Sequence, residues 1–142
     1  MDFILAGATT QRQLDGAMAS VGFVRKGDRF VHPRVAFYVE FPRGPLAIGG
    51  DYRIRPVERR GTHGRALILS ATDSCRDRLA AFFHWRDRGS LDVAVAIALR
   101  NPLRLSVVRR WSVEEGFPEG FAEFLREVRQ ARARRRRHPK AA

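Results

Sequence analysis

The chain has 142 residues, of which 30% are charged and 44% hydrophobic, with a net charge of +12 and a single cysteine, Cys75. That length suits one domain with a real core, the composition is that of an ordinary globular protein, and one cysteine excludes an intramolecular disulfide while fitting a reducing cytoplasm. The longest clean apolar run, Val93 to Leu99, falls far short of the roughly 20 residues a membrane-spanning helix needs.

Taken in chain order, Phe3 to Leu5 predicts a short buried strand. Asp2 ahead of it sits where a secretory signal would carry positive charge, and Phe3 to Ala6 is too short for its apolar region. The expected location is therefore the cytoplasm. Ala6 to Thr10 is a small-residue turn, and Thr10 can cap a helix with Leu14, Ala17, Met18 and Val21 at helical spacing. Gly22 ends that helix as a left-handed cap. Phe23 to Arg25 and Arg29 to Val31 flank the tight turn Lys26-Gly27-Asp28. Val35 to Phe41 predicts a central strand, with Val35, Phe37, Val39 and Phe41 on one face and Ala36, Tyr38 and Glu40 on the other.

Pro42-Arg43-Gly44-Pro45 must turn. Leu46 to Ile48 and Tyr52 to Val57 read as short strands, Glu58 to Gly64 as a polar loop, and Leu67 to Leu69 as a short apolar run. The period then changes. Thr72 or Ser70 can cap a helix carrying Cys75, Leu79, Phe82 and Phe83, closed by Gly89. Ser90 can cap the next, with Leu91, Ala94, Val95, Ala98 and Leu99 in register, ended by Asn101-Pro102. Leu105, Val108 and Trp111 mark a third helix ending near Gly116. Phe117, Phe121, Phe124, Leu125 and Val128 mark a fourth. Segregated elements argue an α+β fold, a small mixed or antiparallel sheet followed by a helical cluster. The sheet region covers residues 1–70, the helical region of the same domain 71–130, and a basic tail 131–142.

Familiar chemical signatures are missing. Gly44 to Gly50 lacks the lysine and hydroxyl of a phosphate loop. Cys75 and His84 point to different faces of one helix and do not form a zinc pair. Arg78 and His84 match a loose ribonuclease pattern, but six helical positions leave them roughly 120° apart. Arg78, Arg86 and Arg88 are instead expected to pair with Asp77 and Asp87. Trp85 and Trp111 read as packing residues. Two carboxylates stand out: Asp2, directly before a strand, and Glu40, between Val39 and Phe41. Carboxylates on neighbouring strands are what two-metal phosphoryl transfer requires. The plainer alternative is that Glu40 faces solvent or pairs with an arginine.

The stretch Thr72 to Leu99, T-D-S-C-R-D-R-L-A-A-F-F-H-W-R-D-R-G-S-L-D-V-A-V-A-I-A-L, resembles the helical region of bacterial nucleotidyltransferase-superfamily proteins related to those of toxin–antitoxin and abortive-infection systems. Gly22-Phe23 and the segment V-E-F-P-R-G-P-L-A-I-G resemble the same group, and the resemblance covers about residues 2 to 128. It implies a nucleotidyltransferase-like sheet, with Asp2 as the second aspartate of a D-x-D pair and Glu40 as the third carboxylate, together holding Mg²⁺ for nucleotidyl transfer from a nucleoside triphosphate. The family's glycine-serine loop has no counterpart here, and the first aspartate would fall before Met1. The expectation is a catalytically incomplete enzyme. The alternative is a non-enzymatic antitoxin-like or nucleic-acid-binding module with a protein partner.

The charge is uneven. From Arg126 to Ala142 there are eight Lys or Arg residues against one acid, Glu127, and arginine outnumbers lysine 25 to 2 over the whole chain. Arginine forks match phosphate geometry, although arginine richness also follows from codon usage in a GC-rich genome. Arg132, Arg134, Arg135, Arg136 and Arg137 are the expected contacts to RNA or DNA, nonspecific and driven by counterion release. Successive like charges from Arg134, with Pro139 behind them, predict that the segment from about Ala131 is disordered or weakly helical.

Overall fold

The computed structural model describes residues 1–5, 7–62 and 64–137. The chain is α+β, with five α-helices and two small antiparallel sheets among the described residues. None of those helices is long and apolar enough to cross a membrane. Compactness divides the chain at Met1–Leu46 and Ala47–Ala142, ahead of the boundary at residue 70 read from the change of period.

In the first unit, α1 spans Gln11–Ser20. The Thr10 hydroxyl accepts the Gln13 N–H, and the Gln13 side chain accepts the Thr10 N–H at 2.9 Å, a reciprocal cap that satisfies two donors the helix cannot pair itself. Gly22 follows at φ +84°, with the His32 imidazole occupying the space a Cβ would need. β1 (Val24–Lys26) and β2 (Arg29–Val31) form a hairpin around Gly27, and β2 pairs antiparallel with β3 (Val39–Glu40). Leu14, Phe30 and Val39 are the buried core, with Met18, Phe23 and Phe41 packed against it.

Two expected strands are corrected here. Phe3 to Leu5 is exposed and forms no strand. Its one ladder bond is Phe3 N–H to Glu40 O at 2.9 Å, and the backbone beyond finds no further rung. Of Val35 to Phe41 only Val39–Glu40 joins a sheet, while Val35, Phe37 and Tyr38 are exposed. The alternating sequence reads as a strand, but β2 offers only Arg29 and Phe30 as partners, so the ladder is two residues long.

The second unit opens with Ile48 and Asp51, which exchange backbone hydrogen bonds at 3.0 and 3.1 Å around Gly49-Gly50. This single bridge replaces the strands expected over 46–48 and 52–57. β4 (Val57–Gly61) and β5 (Gly64–Ile68) then form an antiparallel hairpin where a polar loop was expected. Four helices follow. α2 (Ala71–Trp85) starts at Ser70, whose hydroxyl accepts the Asp73 N–H at 3.1 Å. It ends at Arg86 in the left-handed region (φ 54°) rather than at Gly89. Asp87, not Ser90, caps α3 (Arg88–Arg100), accepting the Gly89 N–H at 3.0 Å and the Ser90 hydroxyl at 2.6 Å. α4 spans Leu105–Glu114 and α5 Pro118–Arg137.

One apolar core joins these helices. It is built on Cys75, Leu79, Phe82, Leu91, Val108 and Phe124, all under 2% exposed. Phe83 stacks between Trp111 (5.6 Å) and Phe117 (5.0 Å), geometry that adds about 1 kcal/mol per pair beyond burial. Gly120 lets α5 approach the Phe83 ring, which stands 2.6 Å from where a Cβ would sit. α5 runs on to Arg137, where a disordered or weakly helical segment was expected from about Ala131. Alanine and arginine are good helix formers, and cations in a last turn are favoured by the negative end of the helix dipole. Pro139 lies outside the described residues.

Candidate functional site

The carboxylate pair belongs to the first unit. Asp2 and Glu40 are parallel bridge partners, with Glu40 N–H donating to Met1 O at 2.9 Å on one side and Phe3 N–H to Glu40 O on the other. Adjacent backbones therefore carry the two residues side by side. Asp2 is exposed and its carboxylate lies 3.5 Å from the Met1 ammonium. Glu40 is half-buried, and although Arg29 stands opposite it in the ladder, no arginine reaches it among the described residues. Arg29 lies over the Tyr38 ring instead, 4.9 Å from its centroid. No group of three or more His, Cys, Asp or Glu converges on a metal position among the described residues.

The basic surface belongs to the second unit and is built on α5. Phe121, Phe124 and Val128 hold the helix in the core. Helical periodicity then fixes the rest. Leu125, Arg129, Arg132 and Arg136 follow at i, i+4, i+7 and i+11 along one side. Arg134 and Arg137 project from the opposite half of the helix, and Arg135 continues the line of Phe124 and Val128 past the end of the core. Arg126, Arg129, Arg132, Arg134, Arg135, Arg136 and Arg137 are all exposed, and none has an acidic partner within 4.0 Å among the described residues. Of the three acids of α5, Glu123 and Glu127 both pair with Arg88, Glu127 at 3.3 Å, and Glu119 lies in the first turn, ten residues before Arg129. The arginine stripe is thus left uncompensated. It borders a groove of about 440 Å³ floored by Leu103, Leu105, Leu125 and Val128, with Arg129 and Arg132 at its edge.

Other candidate residues resolve as structural. Arg78 pairs with Asp77 at 2.6 Å, as expected, but Arg86 and Arg88 reach Glu123 rather than Asp87, which is occupied in capping α3. His84 lies 3.6 Å from Glu115, away from Arg78's partner. Cys75 is fully buried, and burial pushes its thiol up to about 12. Trp111 is buried and donates to Ile48 O at 3.3 Å. Trp85, expected to pack, is 76% exposed.

Two arrangements escaped the sequence reading. Arg76, 4% exposed, holds Asp51 (2.6 Å) and Asp73 (2.9 Å) and lies over Trp111. The Arg53 backbone N–H, followed by the Arg76 guanidinium, lowers the Asp51 carboxyl from 3.8 to about 2. Glu115 accepts the Gly50 N–H at 2.6 Å, tying the Gly49-Gly50 turn to the end of α4. Asp73 and Arg76 are an i, i+3 pair on α2, but the Arg76–Asp51 and Glu115–Gly50 contacts join residues 25 and 65 apart in sequence, so no spacing announces them. Compared with family models, curated proteins and solved structures, the chain matches none of them.

Proposed function

We propose that the chain is a nucleic-acid-associating protein that uses the arginines of α5 to bind phosphate backbones. The observation that carries this reading is the exposed stripe Arg129, Arg132 and Arg136, with Arg134, Arg135 and Arg137 on the other sides of the same last turns and no acidic partner to any of them among the described residues. Side chains three and four apart on a helix lie about 5–6 Å from each other, so the stripe presents a linear array of planar forks to a linear array of phosphates. Guanidinium–phosphate contacts are bidentate and charge-assisted. They carry no base information, so binding is sequence-independent. A chain at +12 also gains long-range attraction to polyanions.

The test is truncation after Ala131, the last α5 residue that packs against the core. The shortened chain is expected to melt within a few degrees of the full chain and to lose at least about tenfold in affinity for duplex DNA near 50 mM salt. Unchanged affinity would remove α5 from the interface.

A second reading is a nucleotidyltransferase-like protein, and the Asp2–Glu40 bridge supports it. Two adjacent carboxylates suit Mg²⁺, a hard cation that takes one or two carboxylates and keeps several waters. In that reading Asp2 and Glu40 hold the ion, which supplies charge neutralisation at the phosphates of a bound nucleoside triphosphate. Nucleotidyl transfer to RNA or protein that Glu40→Ala abolishes would establish this activity, and transfer insensitive to Glu40→Ala would refute it.

A further inference from the structure

The β4–β5 hairpin stands apart from the rest of its unit. All ten of its strand residues, Val57–Gly61 and Gly64–Ile68, are exposed, so neither face is buried against a helix. Its base is nonetheless fixed, because Ile54 before it and Leu69 after it pack against the helical core. An isolated two-stranded hairpin is marginal in water. This one also places Arg60 directly opposite Arg65, and like charges opposite each other in a ladder are destabilising. The two share one acid, Glu58, at 2.8 and 3.7 Å. Arg59, on the other face, has no acidic partner among the described residues. Gly61 and Gly64 form the last rung, with open space around both.

We infer that this hairpin is an arm that enters the major groove of duplex DNA, with the face of Arg60 and Arg65 toward the nucleic acid. The dimensions agree. Five residues per strand span about 17 Å, and the two strands lie about 5 Å apart. A B-form major groove, about 12 Å wide and 8.5 Å deep, admits a two-stranded ribbon. Charge complementarity selects the occupant: the hairpin carries three arginines, Arg59, Arg60 and Arg65, against the single acid Glu58, an excess of positive charge that suits phosphates and guanine edges, whereas a second copy of this chain would bring the same excess to the same surface. The A-form major groove of duplex RNA is too narrow and deep for such entry. The inference rests on the proposed association with nucleic acid and narrows its partner to duplex DNA.

The experiment is fluorescence anisotropy of the full chain with a labelled DNA duplex of about 20 base pairs and the RNA duplex of the same sequence, across a salt titration. The variants are Arg60→Ala/Arg65→Ala and Arg59→Ala, each checked for an unchanged thermal melt. The full chain is expected to bind DNA at least about tenfold more tightly than RNA. The double variant should lose that preference and flatten the log–log salt slope for DNA by about 2, close to 0.9 per lost phosphate contact. It should leave RNA affinity in place. Arg59→Ala should hold the DNA preference. Equal binding of the two duplexes, or a preference that survives the double variant, overturns this inference alone. Absence of binding to either duplex overturns the α5 reading as well. Dimerisation of the free chain through the hairpin, seen by sedimentation and lost in the double variant, would assign the arm to a second copy and overturn the DNA assignment.

Discussion

Replacing Arg76 with alanine probes the second unit at its most charged interior point. The side chain is 4% exposed and holds two carboxylates, Asp51 (17% exposed) and Asp73 (10% exposed). Removing it strands two negative charges with restricted access to water. Breaking a buried ion pair from one side costs about 3–5 kcal/mol. One term works the other way: Arg76 Nε is buried without a hydrogen-bond partner, and the substitution removes that cost. The expected loss is therefore near the lower end, about 3 kcal/mol at neutral pH. For a unit of this size that corresponds to a fall in Tm of about 10–25 °C. Trp85 and Trp111 both lie in this unit, and Arg76 lies over Trp111, so urea denaturation followed by tryptophan fluorescence reads it directly. Arg76→Lys should fall between, keeping charge but losing the fork that spans both acids. A loss under about 1 kcal/mol for Arg76→Ala would refute the claim that Asp51 and Asp73 depend on this buried guanidinium.

Three further outcomes follow from the same packing. The Asp51 carboxyl is lowered in the fold, so its contribution of about 2 kcal/mol is present above pH 4 and lost as pH falls from 3.8 through about 2; Asp51→Asn should shrink the acid-induced drop in stability by that amount, measured by urea titrations at pH 5 and pH 2. Gly120→Ala drives a methyl into the Phe83 ring and should cost about 1–3 kcal/mol by thermal denaturation, where alanine in an open helix would instead stabilise. Cys75, buried with its thiol pushed up to about 12, should resist iodoacetamide in native buffer and react at once in urea, as followed by mass spectrometry.

The helical half was legible because its signal is local. Cys75, Leu79, Phe82 and Phe83, then Leu91, Ala94, Val95 and Ala98, recur at helical spacing in the sequence and are the buried apolar residues of α2 and α3. Thr10 announced its cap in the same way, and Ser70 was one of the two caps offered for α2. Helix ends were less legible: Arg86 takes a left-handed conformation that glycine was expected to supply, because Asp87 is already committed to capping α3. The strands were read least well. Val35 to Phe41 alternates well, yet its ladder with β2 stops after two rungs. The segment from Glu58 to Gly64 reads as a loop, because a ribbon exposed on both faces needs no apolar alternation. Of the site residues, the arginines of α5 were visible as charge. Their arrangement as a stripe beside a groove was not, since that depends on the helix continuing to Arg137.

The salt dependence of DNA binding tests the central claim most directly. The log of the association constant is to be plotted against the log of salt concentration for the full chain and for Arg129→Ala/Arg132→Ala/Arg136→Ala, with a labelled duplex. These side chains are exposed and outside the core, so the variant is expected to fold normally. The account predicts a slope shallower by about 3 in the variant, close to 0.9 for each lost phosphate contact, with affinity reduced for every sequence alike. Parallel lines for the two proteins would contradict it, because the stripe on α5 would then carry no phosphate.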